Sequence, residues 1–138
     1  MSSIHQKPRV LLVDDYDDSR EMYAEYLGFL GFEIVQAANG VEALRQAQES
    51  HPDIVVMDLS LPVMDGWETT VRLRADERTA RIPILAVSGL AVAEASQQVR
   101  QAGFDGFIPK PCLPEELVAE IRRILTADAS PNDLVSRQ

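Results

Sequence analysis

The chain has 138 residues, 46% of them apolar and 25% charged, with 7 glycines, 8 prolines and one cysteine, Cys112. That length and apolar share suit one compact domain with a real core, and argue against a collagen-like, coiled-coil or disordered chain. Acidic residues outnumber basic ones 22 to 13, and a formal charge of −9 would be repelled by phosphate backbones and anionic lipid, so neither nucleic acid nor a membrane is expected as a direct partner.

Met1 to Pro8 is polar, with no apolar secretion segment behind its charges, and residues 1–8 are expected to be disordered. No apolar run approaches the roughly 18–20 residues that a membrane span requires, so a soluble cytoplasmic protein is the default expectation. A lone cysteine makes no internal disulfide and no multi-thiolate metal site.

Short apolar runs then alternate with helical patterns. Val10-Leu11-Leu12-Val13 is followed by Met22/Tyr23, Tyr26/Leu27 and Leu30, spaced as one helix face, with Gly31 as its C-cap. Glu33 to Ala37 is a weaker second run, followed by a stripe of Val41, Leu44 and Ala47 opened by Asn39 and closed before His51-Pro52. Ile54 to Met57 is the third run, and its helix begins after Asp65-Gly66 with Trp67, Thr70/Val71 and Leu73/Arg74. Ile84 to Val87 is the fourth, followed by a small-residue stripe of Val92, Ala95, Val99 and Ala102 that ends at Gly103. Phe104 to Ile108 is the fifth, and Leu117, Ile121, Ile124 and Leu125 form the last helix, with Pro114 in its first turn. Residues 9–126 are thus expected to be the domain and residues 127–138 a flexible tail.

Runs one, three and four are apolar without alternation, as strands buried on both faces must be. Runs two and five are more polar or broken and read as edges, and Pro109 agrees, since a strand proline is tolerated at an edge or an end. Strands alternating with helices imply an α/β domain with a parallel sheet covered on both faces. In such sheets ligands bind outside the carboxyl ends of the strands.

The residues at those ends are Asp14 and Asp15 after the first run, Asp58 after the third, Ser88 after the fourth and Lys110 after the fifth. Each has an ordinary explanation. Asp14 and Asp15, like Asp17, Asp18 and Ser19, could cap the first helix, Asp58 could end a strand in a plain turn, Ser88-Gly89 could cap the next helix, and Lys110 could be solvated. Their joint placement at one end of the sheet favours a site. Three carboxylates together repel one another and call for a cation, and oxygen ligands without His or Cys suit Mg²⁺ or a similar hard ion. A carboxylate beside such an ion and an ammonium is a natural phosphoryl acceptor, with Asp58 the best candidate nucleophile.

With these residues in place, the sequence closely resembles the receiver domain of two-component response regulators. The matching segments are Asp14-Asp15, Asp58-Leu59-Ser60-Leu61-Pro62-Val63-Met64-Asp65-Gly66, Val87-Ser88-Gly89 and Phe107-Ile108-Pro109-Lys110-Pro111, over about Arg9 to Leu125. The resemblance implies a flavodoxin-like doubly wound (βα)5 fold with a five-stranded sheet of order 2-1-3-4-5. It implies that Asp58 is phosphorylated by a histidine kinase or phosphotransfer protein. The implied Mg²⁺ ligands are Asp15, Asp58 and the Ser60 carbonyl, with Asp14 acting through water. Ser88 and Lys110 are implied to bind the phosphoryl group, and the Lys110-Pro111 bond to be cis. Phe107 falls at the switch-aromatic position and, lacking a hydroxyl, would switch by packing. The face of the fourth helix, fifth strand and fifth helix would then engage a downstream protein or, once phosphorylated, a second copy of the chain.

Leu90 cannot orient a hydrolytic water, so a long-lived phosphorylated state is expected. Cys112 reads as a small buried hydrophobe and Trp67 as helix packing near the acceptor loop. A haloacid-dehalogenase-type phosphatase would carry a second aspartate two residues past its nucleophile. That slot holds Ser60 after Asp58 and Tyr16 after Asp14, although Asp15 and Asp17 have the spacing. A receiver fold used only for interaction would usually lack an acid or the lysine, and this chain keeps them.

Overall fold

A computed structural model describes residues 7–59, 61, 64–89 and 103–129. Ser60, Leu90 and the small-residue stripe of the fourth predicted helix lie outside the described residues. The elements in chain order are β1 (Arg9–Val13), α1 (Asp17–Phe29), β2 (Glu33–Ala37), α2 (Gly40–Ser50), β3 (Ile54–Asp58), α3 (Gly66–Ala75), β4 (Ile84–Ser88), β5 (Gly106–Pro109) and α4 (Pro114–Ala129). The strands form one sheet of order β2-β1-β3-β4-β5, every pairing parallel, as the flavodoxin-like expectation required.

Successive strand residues face opposite sides of the sheet, so each apolar run feeds two cores. Leu11, Val13, Val55, Met57, Ile84 and Ala86 pack with Ala43 and Ala47 of α2 and Leu73 of α3. Val10, Leu12, Ile54, Val56, Leu85 and Val87 pack with Leu27 of α1 and Leu117 and Ile121 of α4. The edges are β2 and β5, the two runs that the sequence marks as broken.

Local chemistry sets the helix ends. At the end of α1 the Gly31 N–H donates to the Gly28 carbonyl and the Phe32 N–H to the Leu27 carbonyl, both at 3.1 Å. This is a Schellman motif, and Gly31 supplies its φ of +101°. Asn39 opens α2 by accepting the Glu42 N–H at 2.9 Å, while Glu42 reaches back to accept the Ala38 N–H at 2.8 Å. Asp65 opens α3 by accepting the Glu68 N–H at 2.9 Å.

Three expectations are corrected. The fifth strand begins at Gly106 and not at Phe104. Asp105 instead makes a corner: its N–H donates to the Ile84 carbonyl at 2.7 Å and its carboxylate accepts the Ile84 N–H at 2.8 Å. Phe104 is buried for a different reason, edge-on against Trp67 with ring centroids 5.5 Å apart. The predicted stripes hold at Leu27, Leu44, Ala47, Trp67, Thr70 and Leu73, which are buried or packed on the cores, but Met22, Leu30, Val41 and Val71 are exposed. On α2 and α3 the smaller Ala43 and Thr69 also face inward, where the chain approaches closely: a Cβ on Gly40 would lie 2.8 Å from the Met64 carbonyl oxygen and would overlap the Thr69 hydroxyl. Finally, Arg74 is not a stripe residue. Its guanidinium donates to the Gly103, Ala80 and Ile82 carbonyls and to the Asp105 carboxylate, joining the end of α3 to the entries of β4 and β5.

Candidate functional site

The carboxyl ends of β1, β3, β4 and β5 meet at one edge. The Asp14 N–H continues the ladder beyond β1 by donating to the Ala37 carbonyl at 3.1 Å, so its side chain leaves the sheet at a fixed point. Asp58 is the last residue of β3, and the next N–H, that of Leu59, donates to the Val87 carbonyl at 3.0 Å. Ser88 ends β4 fully buried, and its carbonyl accepts the Lys110 N–H at 2.7 Å. The Lys110-Pro111 peptide is cis, as the resemblance implied.

Asp14, Asp15 and Asp58 each place a carboxylate oxygen within 4.8 Å of the others. Lys110 Nζ lies 3.0 Å from Asp58 Oδ2 and 4.0 Å from Asp14 Oδ2. Asp14 and Asp58 are buried, whereas Asp15 is exposed. Asp14 also holds the approach to α1, Oδ1 accepting the Tyr16 N–H at 2.9 Å and Oδ2 the Ser19 hydroxyl at 3.2 Å, but the N-cap of that helix is Tyr16 and it has no side-chain cap. Asp17 and Asp18 lie in the first turn of α1, where negative charge suits the helix dipole. Phe107 is half-buried on β5 and packs against the core beneath α2 and α3.

Burial pushes the Asp14 carboxyl above its ordinary value, and the Asp58 charge adds to this, against opposing contributions from the Tyr16 N–H, Lys110 and Ser19. Burial alone would lower the Lys110 ammonium. The Asp58 hydrogen bond, with the charges of Asp58, Asp14 and Asp15, outweighs that and raises it. The Asp14 shift has a stability consequence with a definite sign. An acid whose folded value is raised holds more protons folded than unfolded, so its contribution declines as pH rises from the ordinary 3.8 through the folded value. In chelator-treated protein, urea unfolding across that window should show this decline, and Asp14→Asn should flatten it. An unchanged profile in the variant would count against a strained Asp14 carboxylate.

Two features of the site were not visible in the sequence. Tyr23, which reads only as part of a helix stripe, donates its hydroxyl to the Cys112 carbonyl at 2.7 Å. Together with Asp14, Asp58, Lys110 and Cys112 it lines a cavity of about 20 Å³ behind the carboxylates, room for one water. Burial, reinforced by Cys112, pushes the Tyr23 phenol up, so it remains a donor at physiological pH. The only sequence signal was a tyrosine on an apolar helix face that also carries Tyr26. Gly66 is the second feature: a Cβ there would lie 2.5 Å from the Asp58 carbonyl oxygen. Cys112 itself is buried, as a small hydrophobe should be.

The site combines a parallel-sheet edge, three convergent carboxylates and an ammonium on the central one. The family model for the response regulator receiver domain matches residues 10–122, and the chain belongs to that family, a phosphorylatable signalling module and not a turnover enzyme. It is 35% identical over 118 residues to the DNA-binding dual master transcriptional regulator RpaA of Synechocystis sp.. The match covers 86% of this chain and 49% of RpaA, so the chain spans about half the length of that relative. It is 32% identical to the polar-differentiation response regulator DivK of Brucella ovis over 84% of this chain and 94% of DivK. A solved receiver domain of the sensor histidine kinase PA1611 from Pseudomonas aeruginosa, with a magnesium ion coordinated in its active-site cleft, superposes with a TM-score of 0.79 at 31% identity, covering 87% of this chain and 98% of that one. In the present chain the donors are all carboxylate oxygens, a set that fits a hard divalent cation. Among the described residues no helix is long and apolar enough to cross a membrane.

Proposed function

We propose that this chain is a phosphoacceptor switch in which Asp58 takes a phosphoryl group from the phosphohistidine of a histidine kinase or phosphotransfer protein. The observation that carries the reading is Lys110 Nζ at 3.0 Å from Asp58 Oδ2, within a group of three carboxylates. Asp14, Asp15 and Asp58 would hold Mg²⁺, with the Ser60 carbonyl, outside the described residues, as the further ligand that the family implies. When bound, the ion supplies positive charge that offsets both the carboxylates and the phosphoryl oxygens.

In the transfer, an Asp58 carboxylate oxygen bonds to phosphorus as the phosphorus–nitrogen bond breaks, and the imidazole leaves with that electron pair. Lys110 shifts from pairing with the carboxylate to pairing with a phosphoryl oxygen, and the Ser88 hydroxyl donates to another. A dianionic group thus enters an acidic pocket, and movement of the loop after β4 passes to Phe107 by packing. The responding face is that of the fourth predicted helix with β5 and α4. Its partner is a downstream protein, or a second phosphorylated copy, in the cytoplasm. The formal charge of −9 supports protein contact over direct contact with nucleic acid.

Incubation with acetyl phosphate and Mg²⁺, followed by intact-mass measurement, should add one phosphoryl group to the wild type and none to Asp58→Asn or to chelator-treated protein. With Leu90 two residues after Ser88, the acyl phosphate should persist for minutes or longer once the donor is removed. An unmodified wild type would leave an interaction-only receiver, and turnover of a generic phosphate ester would favour a phosphatase.

A further inference from the structure

We infer that Tyr23 is a positioning residue for phosphoryl acceptance, acting through the Cys112 carbonyl to hold the backbone that carries Lys110. The inference rests on the phosphoacceptor reading of Asp58 and deepens it. Lys110 directly follows the edge strand β5 and must reach across β4 to touch the carboxylate at the end of β3. Its side chain is one-third exposed, long and rotamer-rich, so its aim depends on how firmly its backbone is held. On one side the Lys110 N–H is fixed by the Ser88 carbonyl at 2.7 Å. On the other, two residues on, the Cys112 carbonyl is fixed by the Tyr23 hydroxyl at 2.7 Å.

That second tether comes from α1. Tyr23, Asp14, Asp58, Lys110 and Cys112 all border the small cavity, so slack in the Cys112 segment has somewhere to go. Burial pushes the phenol up, so it keeps the proton that it donates to the Cys112 carbonyl. Tyr23 touches none of the reacting atoms. Its effect is to keep the ammonium where charge develops, and such preorganisation acts on rate.

Tyr23→Phe removes one oxygen and keeps the ring in the core. With acetyl phosphate at saturating Mg²⁺, phosphorylation followed by quenched intact mass should slow by about fivefold to tenfold, the effect of one displaced hydrogen bond. Mg²⁺ affinity, read from Trp67 fluorescence without any phosphodonor, should stay within about twofold, because the carboxylates are untouched. In a Lys110→Ala background the same substitution should change the rate by less than about twofold, since the group it positions is gone. A merely structural hydroxyl would lower the rate by the same factor in both backgrounds, and that result overturns the inference. So does an unchanged rate in Tyr23→Phe. If the wild type itself takes no phosphoryl group, the phosphoacceptor reading falls and this one with it, an outcome distinct from equal rates in wild type and Tyr23→Phe.

Discussion

Lys110→Ala should slow phosphorylation by acetyl phosphate by about 10²- to 10³-fold, the usual loss when one preorganised charge-stabilising donor is removed. The same substitution should destabilise the chelator-treated protein by about 2 kcal/mol, less than the full cost of breaking a buried pair because the lysine is partly exposed. Asp58 and Asp14 are 5% and 7% exposed at their side chains and would lose the cation that lies 3.0 and 4.0 Å away, while their mutual repulsion would remain. The two losses should separate on adding Mg²⁺. An ion at a hundredfold excess over its dissociation constant stabilises a folded protein by about 2.7 kcal/mol, which would restore the stability of the variant. The rate should not return, since the ammonium that meets the phosphoryl group is still missing. Lys110→Arg keeps the charge but presents a planar fork, so it should retain stability better than rate. Urea unfolding with and without Mg²⁺, beside mass-monitored phosphorylation, reads both. A variant that phosphorylates at the wild-type rate would reduce Lys110 to a counterion.

The site was legible because of how a parallel sheet is built. Strands buried on both faces must be unbroken apolar runs, so the first polar residue after each run necessarily sits at the carboxyl edge. Asp14, Asp58 and Ser88 could therefore be placed together from the ends of three unbroken runs, with Lys110 just past the broken fifth, and the parallel register brings those strand ends to one edge. What stayed hidden depends on packing between segments remote in sequence. The Tyr23–Cys112 hydrogen bond spans 89 positions, and no local pattern marks it. Phe104 has the composition of a strand residue, yet its apolar ring is buried by Trp67 and not by a ladder. Val41 and Val71 are apolar at helical spacing yet exposed, while the smaller Ala43 and Thr69 face inward where the chain approaches closely at Gly40. Periodicity identifies a helix well; it does not say which of two adjacent apolar rows meets the sheet.

Gly66→Ala should cost about 2–3 kcal/mol, at the upper end for one added methyl in a packed interior, although alanine is the better helix former. The reason is what the methyl would meet. Its Cβ would lie 2.5 Å from the Asp58 carbonyl oxygen, 2.8 Å from Leu59 Cα and 3.1 Å from the Asp58 carbonyl carbon, all backbone atoms with no rotamer to escape through. The end of β3 cannot easily yield, because Asp58 is in register with Val87 of β4 and the Leu59 N–H is bonded to the Val87 carbonyl at 3.0 Å. The start of α3 must retreat instead, stretching the 3.3 Å hydrogen bond from the Gly66 N–H to the Leu59 carbonyl and loosening Leu73 in the core. Any part of the strain that β3 does absorb displaces Asp58 from Lys110, so phosphorylation should also slow, by tenfold or more for a shift of about 1 Å. Gly28 is the matched control. It lies in α1 with nothing within 4 Å of its added Cβ, so Gly28→Ala should stabilise by up to about 1 kcal/mol and leave the rate alone. Parallel urea titrations of the two variants decide the matter: equal and small changes would mean that Gly66 is tolerated and not required against the acceptor backbone.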